Sequence, residues 1–144
     1  MKKIILLSIL FIIGCEKDSP TGSGVNPLVG VWEGSEINYD YSDGTSVTYT
    51  LGENMEMGTM TWIFGEDGVT SMIAKAATET YTNSGTWSAT GNKLTIIPTS
   101  TNDGEETMIF DFIISGNLLT INDEYVGTSD GEISFTTEIR LIKQ

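Results

Sequence analysis

The sequence predicts an all-β domain, an up-and-down antiparallel meander that closes into a barrel of about eight to nine strands. Three observations favour this fold. Turn dipeptides recur from residue 28 onward, the segments between them alternate apolar and polar residues as half-buried strands do, and no stretch keeps the apolar period of a helix. A meander with one apolar face has two unpaired edges, and closing the sheet removes both. An open sandwich is the second architecture.

The first fourteen residues have the features of a secretory signal peptide. Lys2 and Lys3 give a positive start, and residues 4–13 form an apolar run that only Ser8 interrupts. A run of about ten residues is too short to span a bilayer, which takes about 20. We therefore expect residues 1–14 to be removed from the mature protein.

The end of this run, Ile12-Ile13-Gly14-Cys15, resembles the lipobox of bacterial lipoproteins, in which the cysteine is acylated and becomes the first residue. Cys15 is the sole cysteine of the chain; the alternative is an ordinary signal peptide with a chance cysteine. The resemblance implies a membrane anchor, since two or more acyl chains hold a protein stably at a bilayer. Glu16 replaces the aspartate that retains such lipoproteins in the inner membrane, which implies the outer membrane of the bacterial cell envelope.

Residues 15–27 are predicted to be a flexible tether, because they are mostly polar and contain Gly, Ser and two of the three prolines. Removing residues 1–14 leaves five basic residues against 20 acidic ones, a net charge of −15. Such a surface repels nucleic acid and anionic head groups, so neither is expected as a partner. The membrane is then reached through Cys15, and the folded domain covers residues 28–144.

Eight turns separate nine predicted strands in this domain. Asp-Gly and Gly-Asn pairs are typical of two-residue hairpin turns, because their residues tolerate the positive φ that these turns need. Such pairs lie at 43–44, 67–68, 91–92, 103–104, 116–117 and 130–131, with weaker breaks at 52–54 and 77–79. The predicted strands cover residues 29–41, 45–51, 56–65, 69–76, 80–89, 93–99, 106–114, 118–126 and 133–142.

Alternation along the strands assigns residues to the two faces of the sheet. Trp62 and Phe64 share one face of the third strand, and Ile139 and Leu141 share one face of the last, with Arg140 on the other face. The apparent inward set is bulky: Trp62, Phe64, Tyr81, Trp87, Phe110, Phe112 and Phe135. A small barrel is either filled by side chains or holds one ligand, and bulk favours filling.

The first strand, Leu-Val-Gly-Val-Trp-Glu at residues 28–33, looks like the Gly-x-Trp opening of lipocalins and their bacterial lipocalin-like relatives within the calycins. Arg140 lies where that family often has an arginine packing over the tryptophan. The resemblance covers about residues 27–142 and implies a barrel in which Gly30, Trp32 and Arg140 are structural. The chain is shorter than a typical lipocalin, and no helix is evident after the last strand.

Composition excludes most catalytic chemistry. The chain has no His, and its one Cys is the predicted acylation site, so imidazole bases and clusters of thiolate ligands are excluded. The acidic pairs Glu105-Glu106 and Asp123-Glu124 lie at or near turns without the spacing of a calcium loop, and adjacent strand residues point to opposite faces. We expect neither an enzyme nor a cofactor nor a resident metal.

A methionine cluster is a weaker candidate for a metal site. Met55, Met57 and Met60 could offer the soft ligands that suit Cu(I). In a regular strand Met60 points away from the other two, so these side chains are interpreted as adaptable core fillers.

Asp111 is the one acidic residue flanked on both sides by apolar runs, and it shares a face with Ile109 and Ile113. If that face is buried, the carboxylate needs a partner, for which Lys75 and Lys93 are candidates. An outer face is the favoured interpretation.

Two classes of function remain. The first is a lipid-anchored envelope lipoprotein whose barrel binds a small apolar or neutral ligand, with walls formed by Trp62, Trp87, Phe110 and Phe112. The second is a solid barrel that acts as a structural or protein-interaction module of the envelope, without a ligand. A fatty acid matches poorly, because no pair of arginines is evident to hold its carboxylate. A cavity inside the barrel would separate the two classes.

Overall fold

The chain folds into the predicted antiparallel meander. The computed structural model describes residues 25–53, 57–76, 79–99, 106–127 and 133–144, and in these ranges it contains nine β-strands and no helix. None of the described residues therefore belongs to a helix that could cross a membrane. The predicted signal peptide, Cys15 and most of the tether lie outside these ranges, as do Met55 and the turns at 103–104 and 130–131.

Each strand lies within three residues of its predicted bounds, because the turn dipeptides mark the hairpins. The strands are β1 (Gly30–Tyr41), β2 (Ser46–Thr50), β3 (Thr59–Phe64), β4 (Val69–Ala76), β5 (Glu79–Thr90), β6 (Lys93–Pro98), β7 (Met108–Ser115), β8 (Leu118–Tyr125) and β9 (Phe135–Lys143). Gly91 and Gly116 show why these dipeptides matter: their φ angles of 61° and 62° lie in the region that favours glycine. The nine-strand prediction is confirmed.

The first and last strands close the sheet into a barrel. One edge of β1 pairs with β9, from Trp32 opposite Lys143 to Tyr41 opposite Phe135. The other edge is shared, because residues 30–33 pair with β3 and residues 36–40 pair with β2. The closed ring therefore contains eight strands, β1 and β3 to β9, and β2 is an extra strand beside β1. The predicted barrel is confirmed.

A β-bulge in β1 marks the place where this strand changes partners. Its register with β9 shifts between Gly34 and Glu36, so Ser35 is the additional residue. The carbonyl oxygen of Ser35 accepts a hydrogen bond from the backbone N–H of Leu51, immediately after β2. Gly34 makes room for that approach, since a Cβ there would lie 2.5 Å from Cδ1 of Leu51.

The barrel has a packed end and an open end. The packed end is the end of the barrel where β1 begins and β9 ends. The backbone N–H of Lys143 there donates to the carbonyl oxygen of Asn117, in the turn before β8. The fully buried side chains are Leu28, Trp32, Phe64, Leu94, Leu119, Ile121 and Leu141. At the open end, the rings of Tyr39, Tyr41 and Tyr125 lie 5.0–5.8 Å from that of Phe135. The hydrophobic core thus closes one end of the barrel, whereas the other end is edged by a cluster of aromatic rings.

Candidate functional site

A cavity of about 160 Å³ lies inside the barrel. Five consecutive strands, β3 to β7, contribute its lining: Trp62, Thr70, Met72, Asn83, Ser84, Ile96, Met108 and Phe110. None of these residues is charged. The bulky inward residues of the sequence predict a barrel filled by side chains, but this part of the interior is not filled.

The register of the sheet explains where the space arises. Trp62 pairs with Met72, and Met72 pairs with Asn83, so alternation turns all three toward the interior at one level. Next to them Thr70, which also lines the cavity, pairs with Gly85, where the backbone of Ile97 comes so close that a Cβ would lie 2.3 Å from its carbonyl oxygen.

The cavity lies on the side of the open end. Along the inner face of β5, the residue beyond Asn83 toward that end is Tyr81, which is 58% exposed. Tyr81 therefore stands at the mouth of the barrel and does not fill its interior, contrary to the bulky inward set read from the sequence.

The indole N–H of Trp62 is a buried hydrogen-bond donor without an acceptor in the described part of the chain. Its side chain is 5% exposed, and its Nε1 has no hydrogen-bond partner among the residues that the structure describes. The other two indoles donate to backbone carbonyls: Nε1 of Trp32 to Leu28 at 2.7 Å, and Nε1 of Trp87 to Gly65 at 3.0 Å. One tryptophan of the three thus keeps its donor free.

Neighbouring rings hold Trp62 in place. Its ring centroid lies 5.7 Å from that of Phe64 and 6.1 Å from that of Phe110, in tilted and edge-on arrangements that aromatic pairs prefer. The hydroxyl of Thr70, which also lines the cavity, donates to the carbonyl oxygen of Ile63 at 2.9 Å. The proton of that hydroxyl is therefore already used, whereas the indole proton is not.

The structure brings together two of the four aromatic residues predicted to wall a ligand site. Trp62 and Phe110 line the cavity, whereas Trp87 and Phe112 pack against the buried core. Trp87 lies four residues beyond Asn83 along β5, toward the packed end, where its ring centroid is 5.3 Å from that of Phe64. Trp87 and Phe112 therefore do not line this cavity.

Sequence reasoning missed six of the eight lining residues: Thr70, Met72, Asn83, Ser84, Ile96 and Met108. The turn at 67–68 carried a usable signal, because a tight hairpin centred there sets Trp62 opposite Met72. Met108 lies on the same face of β7 as Phe110, so strand alternation alone predicts that both side chains point to the interior.

The Gly-x-Trp segment lies in β1 at the packed end, but the basic residue over its tryptophan is not the predicted one. Trp32 is fully buried, and the cation over its indole is Nζ of Lys143, 5.2 Å from the ring centroid. Arg140 lies on the outer face, where its guanidinium pairs with Glu36 at 3.0 Å and Glu138 at 2.7 Å. The prediction that Arg140 packs over Trp32 is therefore wrong, because Lys143 is the basic residue of β9 that shares the face of Trp32.

Gly30 accommodates the stem of this lysine. Its φ is 135°, and a Cβ there would lie 3.0 Å from Cε of Lys143. Nζ of Lys143 also donates to the carbonyl oxygen of Pro27 at 3.1 Å, which ties the end of the chain to its point of entry. Gly30 and Lys143 thus shape the packed end.

Asp111 lies on the outer face of the barrel, where Ile109 and Ile113 are exposed. Its carboxylate pairs with Nζ of Lys93 at 2.8 Å and accepts a hydrogen bond from Nδ2 of Asn92 at 3.1 Å. This arrangement is a surface ion pair.

The described part of the chain contains no group of three acidic or cysteine side chains that could hold a metal ion. Met60 packs against the core, in keeping with core filling.

A closed, eight-stranded antiparallel barrel with Gly-x-Trp on its first strand, a packed end and an internal cavity defines the lipocalin-like class of folds. The model of the family described as lipocalin-like domain matches residues 28–121, and the chain belongs to this family. The family resemblance read from the first strand is confirmed.

The chain is also similar to a lipocalin-like protein from Bacteroides uniformis that is known from a crystal structure. The two share 24% sequence identity with a TM-score of 0.53, over 81% of this chain and 98% of the other. At this identity the likeness shows a shared fold. No curated protein matches the chain.

Proposed function

We propose that this protein binds a small, largely apolar and uncharged molecule in the cavity of its barrel and performs no chemistry on it. The observation that carries the proposal is the cavity itself, whose walls are mostly aromatic, thioether and aliphatic. The absence of His from the sequence also argues against a catalytic role.

The size of the cavity limits the ligand. An engineered protein cavity of about 150 Å³ lined by apolar side chains binds benzene. The cavity here, about 160 Å³, therefore suits a molecule of similar size, or part of a larger one that extends toward the open end.

Charge further limits the ligand. None of the lining residues is basic or acidic, so an ionised group would lose its hydration without gaining a partner. The chain carries a net charge of −13, which opposes the approach of anions. Neutral molecules remain.

A titration with small neutral compounds, repeated on a variant with a blocked cavity, tests the binding function. The purified protein is titrated with small neutral aromatic and alicyclic compounds while tryptophan emission and melting temperature are followed. A ligand at 100 times its Kd should stabilise the protein by about 2.7 kcal/mol. Asn83→Phe should weaken binding by blocking the exposed side of the cavity, whereas Thr82→Phe places the same ring on the opposite face of β5 and should leave binding unchanged. If no compound changes either signal, a structural or protein-interaction module without a ligand replaces the binding function.

We also propose that the protein is a lipoprotein of the bacterial outer membrane, anchored through acylated Cys15. The lipobox-like residues 12–15 support this proposal. Wild-type protein is expected to fractionate with membranes, and Cys15→Ser protein is expected to lose both processing and membrane association. Unchanged processing and fractionation of the Cys15→Ser protein would contradict the anchor.

A further inference from the structure

We infer that the outer edge of β2 (Ser46–Thr50) pairs with an extended segment of a partner protein in which apolar and basic residues alternate. The inference comes from the way β2 joins the barrel. One edge of β2 pairs with β1, and within the described ranges its other edge has no strand beside it. No residue of β2 lines the cavity, so the inference does not depend on ligand binding there.

The backbone of β2 presents unused hydrogen-bonding groups at this outer edge. In an antiparallel pair, successive residues bond the neighbouring strand and point away from it in turn. The N–H of Leu51 donates to the carbonyl oxygen of Ser35 on β1, so the odd-numbered residues of β2 face β1. The even-numbered residues turn their N–H and C=O groups to the outer edge: Ser46, Thr48 and Thr50. None of these groups has a backbone partner in the described part of the chain.

β2 also lacks the features that keep an edge strand from pairing with another chain. Edge strands are usually protected by a charged side chain, a proline or a bulge. β2 is uncharged, contains no proline and pairs with β1 in an unbroken register. Four of its five residues are exposed, and Tyr49 is half-buried. Because β2 lies outside the closed ring, a strand added to it extends the sheet and leaves the barrel intact.

The charges around β2 favour a basic partner. Asp40 lies beside Ser46 on the outer face, Asp43 lies in the turn before β2, and Glu53 follows β2. Within the described ranges none of these three carboxylates forms an ion pair. Lys and Arg side chains on a strand beside β2 are long enough to reach toward them. A second copy of this chain is disfavoured, because its net charge of −13 repels the first.

Strand alternation sets the order of residues in the partner. Cross-strand neighbours share a face of the sheet, so partner residues opposite Ser46 and Thr48 lie on the outer face with Asp40. Partner residues on the other face lie beside Val47 and Tyr49, where apolar side chains fit. Main-chain bonds along β2 supply affinity, and the two faces supply specificity for an alternating basic and apolar segment.

Amide hydrogen exchange with a synthetic strand tests this inference. The heptapeptide KVKVKVK, acetylated and amidated, is titrated into the ¹⁵N-labelled full chain. In the protein alone, we expect slow exchange at the amides of Val47 and Tyr49, which bond β1, and fast exchange at those of Ser46, Thr48 and Thr50. Saturating peptide is expected to slow exchange at these three amides by about tenfold or more. The peptide EVEVEVE, of opposite charge, is expected to leave them unchanged.

Two variants at Thr48 separate strand pairing from general attraction between charges. Thr48→Pro removes the N–H at the centre of the outer edge and no bond to β1, because that N–H points away from β1. Thr48→Val is the matched control: both changes remove the hydroxyl that donates to Asn38 at 2.7 Å, but valine keeps the N–H. We expect Thr48→Pro to weaken binding of KVKVKVK by about tenfold or more, and Thr48→Val by less than about twofold. Slow exchange retained at Val47 and Tyr49 shows that β2 still pairs with β1 in each variant.

Three results would overturn the inference. The first is failure of KVKVKVK to bind, or equal binding to the Thr48→Pro and Thr48→Val proteins, which would show attraction to the acidic surface without strand pairing. The second is slow exchange at Ser46, Thr48 and Thr50 in the protein alone at every concentration, which would show that the chain itself covers this edge. The third is exchange at these amides that slows as protein concentration rises, which would assign the edge to a second copy. Ligand binding in the cavity stands or falls separately from all three.

Discussion

Replacing Trp32 with Phe should destabilise the barrel more than the same replacement at Trp62, although both side chains are buried. Each change removes about three non-hydrogen atoms, which costs about 2 kcal/mol at about 0.8 kcal/mol per buried carbon group. At Trp32 the change also leaves the carbonyl oxygen of fully buried Leu28 without its donor, which now lies at 2.7 Å. That loss adds about 2 kcal/mol. We therefore expect a loss of about 4 kcal/mol at Trp32 and about 2 kcal/mol at Trp62.

Urea unfolding followed by circular dichroism measures both losses, with the slope of the transition checked for two-state behaviour. Circular dichroism is preferred because each variant removes one of the three tryptophans that would report by fluorescence. Losses that agree within about 0.5 kcal/mol would show that the indole N–H of Trp62 is as well satisfied as that of Trp32. The reasoning from the unpartnered donor would then be refuted.

Four further substitutions test the fold. A Cβ on Gly58, whose φ is 68°, would overlap the carbonyl oxygen of Lys75, so Gly58→Ala should cost more than about 3 kcal/mol in urea unfolding. Gly116→Ala, with φ 62° and open space, should cost about 1–2 kcal/mol; equal losses would contradict the overlap. Asp111→Asn should change stability by less than about 1 kcal/mol, because its ion pair is half-exposed, and a larger, salt-insensitive loss would be inconsistent with this. Burial raises the pKa of Tyr39, and the neighbouring Tyr41 and Tyr49 raise it further. The neutral phenol of Tyr39 therefore stabilises the folded protein fully below about pH 10, and this contribution is lost as pH rises through the folded pKa. Alkaline unfolding compared with Tyr39→Phe measures this, and identical profiles would exclude the effect.

The strand order and the closure could be predicted because their signals are local. Asp-Gly and Gly-Asn pairs mark turns by backbone conformation alone, and closure follows from the cost of leaving two sheet edges unpaired. The cavity could not be predicted in this way. It depends on Met72 meeting Asn83 across β4 and β5, and the turn between those strands has no strong dipeptide. A list of large inward residues does not give the register that sets these two side by side.

The error at Arg140 has a different origin. Strand alternation in the sequence already put Arg140 on the face opposite Leu141, and a side chain on the outer face cannot cover a fully buried indole. The family resemblance and the strand alternation predict different faces for Arg140, and the alternation is correct. Lys143 was available on the correct face, two residues beyond Leu141.

The entry of the chain at the packed end sets how an anchored barrel would meet its surroundings. The ten residues from Cys15 to residue 24 reach at most about 35 Å when extended, and they join the barrel beside Pro27 and Lys143. With Cys15 acylated as proposed, the tether is attached at the packed end of the barrel, opposite the ring of aromatic side chains around Phe135. Cargo would then enter and leave through the end of the barrel that the tether does not approach.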